Sequence, residues 1–133
     1  MNSPAEGPEG GYAAVGRLLD FERLDVYRVA IEFQVLLARL LPRKGFASIR
    51  DQLERASASA VLNIAEGAGR ARATDKARFY VIARGSAMES AAALDVLLAR
   101  GAIAPAEHRH ARGLLVRVVQ MLTKLTLGMH ARG

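Results

Sequence analysis

The chain contains no cysteine, which excludes disulfides, thiolate metal sites and a cysteine nucleophile. Tryptophan is absent and aromatic residues make up only 5%. The 51% apolar content therefore rests mainly on alanine and leucine, both good helix formers. Runs of β-branched residues bounded by turn residues, the mark of strands, are missing. Arginine interrupts every apolar stretch, so no segment reads as a membrane-spanning helix. The first twenty residues hold Pro4, Glu6, Pro8 and Glu9 and lack the basic start and apolar run of a secretory signal. The expected location is the cytoplasm.

What is present is a basic chain of one-domain size. The 133 residues carry a formal charge of +6 and a sequence pI near 10.5, and a chain this long can bury a core without staples. Before Phe21 stand three acids (Glu6, Glu9, Asp20) and one base (Arg17), so the positive charge belongs to the remainder. A basic folded body attracts phosphate-rich partners. Such a charge speaks to association and not to fold.

Punctuation divides the chain into a tail and four helical segments. Residues 1–20 hold Gly7, Pro8, Gly10, Gly11 and Gly16 and read as a disordered tail with little to bury. Residues 21–133 read as one all-α domain, an antiparallel up-and-down four-helix bundle. The first segment is expected over about 22–41, stopped by Pro42. The second runs from Ala47 to Gly67, ended by Gly67 and Gly69. The third follows Thr74-Asp75, read as cap and first-turn acid, and ends near Gly101. The fourth starts at Pro105, where proline suits a first turn, and runs to about Leu127 before Gly128.

Each segment repeats in steps of three and four, the pattern of a packed seam. The third gives Phe79, Ile82, Ser86, Glu89, Ala93 and Val96. A second apolar stripe runs beside the first, Tyr27, Ile31, Ala38 and Leu41 in one segment and Val61, Ile64 and Ala68 in the next. Helices apolar over so wide an arc imply burial against a partner copy as well as the core, so a homo-oligomer is expected.

Polar residues interrupt two seams: Asn63 and Glu66 in the second segment, Ser86 and Glu89 in the third. Buried charge requires partners. If the chain pivots near Arg72, Arg55 lies level with Glu89, Glu66 with Arg78, and Ser59 with Gly85 and Ser86. The expectation is a structural network of Arg55, Asn63, Glu66, Arg78, Ser86 and Glu89. It includes an Arg55–Glu89 ion pair, a Glu66 contact to Arg78 or Arg70, and close helix approach at Gly85. The carboxylates lack the Glu-x-x-His motifs of di-iron bundles. His108 and His110, two apart, point to different sides of a helix. No metal site, cofactor loop or nucleophile–base pair can be assembled, and no enzymatic activity is expected.

The same residues carry a resemblance. Asp51-Gln52-Leu53, Asn63-Ile64-Ala65-Glu66-Gly67-Ala68-Gly69-Arg70, and Phe79-Tyr80-Val81-Ile82-Ala83-Arg84-Gly85-Ser86 with Glu89 resemble the "four helix bundle protein" family, first noticed as reading frames in intervening sequences of bacterial 23S rRNA genes. The opening Phe21-Glu22-Arg23-Leu24-Asp25-Val26-Tyr27 fits as well, and the resemblance covers about residues 21–127. Leu62 stands where the family has a small residue or proline, and Glu54 where it often has a base. The resemblance implies an up-and-down bundle and a ring-shaped homopentamer, and no known reaction. A distant class of relatives serves as basic pentameric accessory subunits of diversity-generating retroelements, which by analogy implies nucleic-acid association.

The candidate nucleic-acid site is the turn bearing Arg70, Arg72, Lys76 and Arg78, with Arg84 extending it along the third helix. Its phosphate contacts would be sequence-independent and salt-sensitive. Arg109, Arg112, Arg117 and Lys124 of the fourth segment form a rival basic stripe. The first functional expectation is thus a non-enzymatic homo-oligomeric module that contacts RNA or DNA phosphates. The alternative is a protein–protein assembly module without a nucleic-acid role.

Overall fold

The computed structural model describes residues 19–42 and 44–132, and all but a few residues at the N-terminus and in the turns are helical. The tail expectation for residues 1–18 lies outside the described residues. A 3₁₀ turn, Asp20–Arg23, leads into α1 (Asp25–Leu40), α2 (Ala47–Ala68), α3 (Ala73–Ala99) and α4 (Pro105–Arg132). Among the described residues no strand occurs. Each helix packs on two neighbours, α1 on α2 and α4, α3 on α2 and α4, and among the described residues the backbones of diagonal pairs stay further apart. With short connections this is the antiparallel four-helix bundle.

The ends follow from local chemistry. The first segment begins as the 3₁₀ turn, where Glu22 Oε1 accepts the Leu19 N–H at 2.8 Å and Phe21 meets Tyr27 with ring centroids 4.6 Å apart. α1 stops at Leu40 because Pro42 holds Leu41 extended at ψ 134°. Gly45 (φ 76°) and Phe46 (φ 55°) turn the chain through the left-handed region. The half-buried Phe46 is packed against the core, which holds an aromatic residue in a conformation such residues seldom adopt. The α3 cap is shifted from the expectation. Arg72, extended, is the N-cap and α3 starts at Ala73, so Thr74 lies inside the first turn with Asp75.

α3 ends in a Schellman arrangement. Gly101 takes φ 74°, its N–H donates to Leu98 O at 2.9 Å, and Ala102 N–H donates to Leu97 O at 2.8 Å. α4 opens on Pro105, and Glu107 Oε1 accepts the Ala104 N–H at 2.8 Å, one half of a capping box. Gly128 does not stop α4, which runs on to Arg132. Met129, only 6% exposed, joins the core there, and that burial outweighs the low helix propensity of glycine.

The core is centred on Phe33, Leu53, Ile64, Tyr80, Leu94, Leu97, Val118 and Leu122, all essentially buried. The α3 seam differs from the one the periodicity suggests. Ala77, Tyr80, Ala83, Ala87, Ser90, Leu94 and Leu97 face inward with Ala93. Ile82 and Glu89 are exposed, and Phe79, Ser86 and Val96 lie at the flank. Apolar residues surround nearly the whole of α3, so two interleaved stripes compete. The alanine-rich one wins because small side chains let the helices approach closely.

Candidate nucleic-acid interface

The α2–α3 register places the candidate residues. Ser59 and Ser86 hydroxyls meet at 2.9 Å, at the level that a pivot near Arg72 gives. Asn63 Nδ2 donates to Ser59 O at 2.9 Å and to Ser59 Oγ at 3.2 Å, and Ser90 Oγ donates to Ser86 O at 2.9 Å. This half-buried cluster of small polar groups is what the seam holds in place of an ion-pair network.

The charged members lie elsewhere. Arg55 and Glu89 are both exposed, and no ion pair joins them among the described residues. They sit outward of the Ser59–Ser86 contact, where pairing two long side chains in water gains little against the entropy of holding them. Glu66 pairs with Arg70, one of its two expected partners, one turn along α2. Arg78 has no part in that pair. It lies over the Phe79 ring, 5.2 Å from the centroid, and Arg70 covers the same ring at 4.6 Å, within cation–π range.

Gly85 does not mediate the close approach expected of it. It is exposed, with nothing within 4 Å of a Cβ built there. The close contact belongs to Gly67, where such a Cβ would lie 2.8 Å and 2.9 Å from the Tyr80 ring and 3.1 Å from Phe79 Cβ. Gly67 stays within α2, which ends one residue later, and Gly69 provides the C-cap. The Tyr80 ring is packed beneath it, and burial pushes the Tyr80 hydroxyl above its ordinary pKa. In sequence Gly67 stands both at the expected end of the second segment and on its repeating seam with Leu53, Ala56, Ala60 and Asn63. Its position seven residues after Ala60, on the inward stripe, was the signal for the packing role.

The corner at Arg70–Arg78 is thus largely occupied with holding itself together. Lys76 Nζ donates to Ala68 O at 2.7 Å and Gly67 O at 3.4 Å. It supplies a cation to the carbonyl end of α2, where the helix dipole favours one. Arg72 is exposed, and no ion pair of its side chain occurs among the described residues. Arg84 is not a continuation of the corner. Its Nε donates to Thr123 Oγ1 at 2.9 Å, which ties it to α4 on the other side of α3.

On α4 the rival bases have no such partners among the described residues. Arg109, Arg112, Arg117 and Lys124 are all exposed, and no acid occurs after Glu107. His108 Nε2 meets Asp95 Oδ1 at 2.7 Å across the α3–α4 turn. Among the described residues no group of three His, Asp or Glu side chains could hold a metal. No described helix is long and apolar enough to cross a membrane.

A family model described as "23S rRNA-intervening sequence protein" matches residues 22–124. That span takes in all four helices except the last turns of α4. No curated protein matches the chain.

Proposed function

This chain belongs to the 23S rRNA-intervening sequence protein family, and we propose that it acts as a non-enzymatic, self-assembling helical module that contacts nucleic-acid phosphates. The observation that carries the reading is the excess of basic side chains, net +6, displayed as exposed arginines on the corner and on α4. Exposed guanidinium groups neutralise phosphates and release counterions, whatever the base sequence. RNA is the first candidate, since the family is named for its place in 23S rRNA genes. The cytoplasm is the setting in which such a module meets it.

Self-assembly is supported by large apolar side chains exposed outside the core. Leu62 is 67% exposed, and Val81, Ile82 and Met88 are 49%, 45% and 51% exposed. Leu62 and Ile82 sit level with one another across the α2–α3 seam, by the Ser59–Ser86 register. A second copy of the chain is the proposed cover, in a ring of five if the family pattern applies. The same side chains favour the second reading, an assembly module whose partner is protein and whose charge serves solubility.

Light scattering with RNA and duplex DNA titrations across a salt series tests both parts. The expected result is a defined oligomer of the 14.3 kDa chain that binds and loses affinity steeply as salt rises. L62E/I82E is expected to reduce the assembly to single chains. A well-defined oligomer that binds no nucleic acid at low salt would leave the assembly-module reading standing alone.

A further inference from the structure

The outward face of α4 combines three features that nothing else in the fold uses. The first is charge of one sign. From His108 to the C-terminus there is no Asp or Glu, while Arg109, Arg112, Arg117 and Lys124 are exposed. Arg109, Gly113, Arg117, Gln120 and Lys124 follow at steps of four, four, three and four, one ridge along the helix. At about 1.5 Å per residue that ridge runs about 22 Å. Arg84 stands beside it, held by Thr123.

The second feature is Gly113. It lies in the interior of α4, is exposed, and has nothing within 4 Å of a Cβ built there. Glycine is disfavoured there relative to alanine, and no contact among the described residues calls for it. A missing side chain between two arginines lets a partner approach the helix backbone.

The third feature is shape. Arg109, Arg112 and Gly113 line one open depression with Val116 and His108. Arg117, Gln120, Thr123 and Lys124 line another further along. Each is flanked by cations, and Gln120 supplies a neutral donor of the kind that positions phosphates, while the Thr123 hydroxyl donates to Val119 O at 2.8 Å.

We propose that this ridge, and not the Arg70–Arg78 corner, is a track for the phosphate backbone of double-stranded nucleic acid, with Gly113 the point of closest approach. The proposal rests on the nucleic-acid reading above and gives it a site and a substrate class. Charge complementarity selects the polyanion. A duplex presents one negative charge per about 1.7 Å of axis, enough to meet every base on the ridge. Single strands are held by stacking on aromatic side chains, and no Phe, Tyr or Trp occurs after Tyr80. A membrane surface calls for a broad apolar face beside the cations. On α4 Ala111, Leu115, Val118 and Leu122 are turned into the core, and Leu127, the large apolar side chain that the helix leaves exposed among the described residues, stands alone beyond Lys124. Asp95, the α3 acid that contacts α4, is turned to His108.

The test is anisotropy titration of the full chain with labelled duplex RNA, duplex DNA and each single strand across a salt series, alongside thermal melts. R117Q/K124Q is expected to weaken duplex binding about tenfold and to reduce the log–log salt slope by about two, with an unchanged melting temperature. R117K/K124R is expected to restore binding. R70Q/R72Q is expected to change binding less than twofold. G113A is expected to raise the melting temperature and yet weaken duplex binding, a combination that a merely structural role does not produce.

If the wild type binds while R117Q/K124Q binds equally well, or R70Q/R72Q carries the loss, the track is wrong and the nucleic-acid reading survives. Tighter binding of single strands than of duplex overturns the substrate class. Equal competition by polyglutamate at matched charge shows an acidic protein surface as the ligand and overturns the proposal. If the wild type binds no nucleic acid at low salt, the underlying reading falls first.

Discussion

The α2–α3 seam and the outward face of α4 each place a glycine inside a long helix, in opposite surroundings. Gly67 lies against the Tyr80 ring and Phe79 Cβ, so the fold itself requires the missing side chain. Gly113 faces open space between Arg109 and Arg117, and no contact among the described residues gives a use for it. A glycine in a helix interior, as at Gly113, costs about 1 kcal/mol relative to alanine, and a glycine in the last turn, as at Gly67, costs less. At Gly67 the packing of an aromatic ring offsets that cost within the chain. At Gly113 any return comes from outside it.

Substitution breaks the comparison most sharply at the seam. Gly67→Ala puts a methyl within 3 Å of the Tyr80 ring, and the ring cannot yield without moving the core around it. A loss of about 1–3 kcal/mol is expected, read as a lower urea midpoint at unchanged slope. An unchanged midpoint would show that the α2–α3 spacing relaxes freely and that the seam is not close-packed. The same substitution at Gly113 is expected to act in the opposite direction, raising stability by about 0.5–1 kcal/mol. A fall there would mean that the chain does use Gly113, and the contrast would lose its basis.

The smallest effect sharpens the seam alone. Burial raises the Tyr80 pKa in the folded chain. Below about pH 10 the phenol is neutral in both states and its contribution is complete. As pH rises from there through the folded value, the unfolded chain ionises first, and that contribution is lost. Stability is therefore expected to decline above about pH 10, and Tyr80→Phe, which keeps the ring under Gly67, is expected to flatten part of the decline. Identical alkaline profiles for the two proteins would place the ring in a wetter setting than the seam provides.

Much of the fold was legible because the signals were local and agreed with one another. Pro42 ends a helix, Pro105 opens one, and Gly101 closes another through its own positive φ. Short turns then leave antiparallel neighbours as the simplest arrangement, and the pivot near Arg72 gives the level at which Ser59 meets Ser86. The candidate site was less legible. Charge at a turn is visible in sequence, but whether each base is occupied is not. Lys76 caps α2, Arg70 and Arg78 cover Phe79, and Arg84 reaches Thr123. Except for Arg78 and its neighbour Phe79, those partners lie on other turns or other helices, up to 39 residues away.

The sequence by itself determined the helical class, the number and order of the helices and the basic character of the chain, since alanine and leucine content, capping residues and charge act over one or two turns. Which stripe of α3 turns inward was decided by the tertiary structure. α3 is apolar around nearly its whole circumference, so periodicity offers two seams, and only the fit of Ala83 and Ala87 against the other helices separates them. That rotation puts Glu89 and Gly85 in solvent and brings Tyr80 under Gly67. It also turns Arg84 toward α4, because a rigid helix carries all its side chains round together.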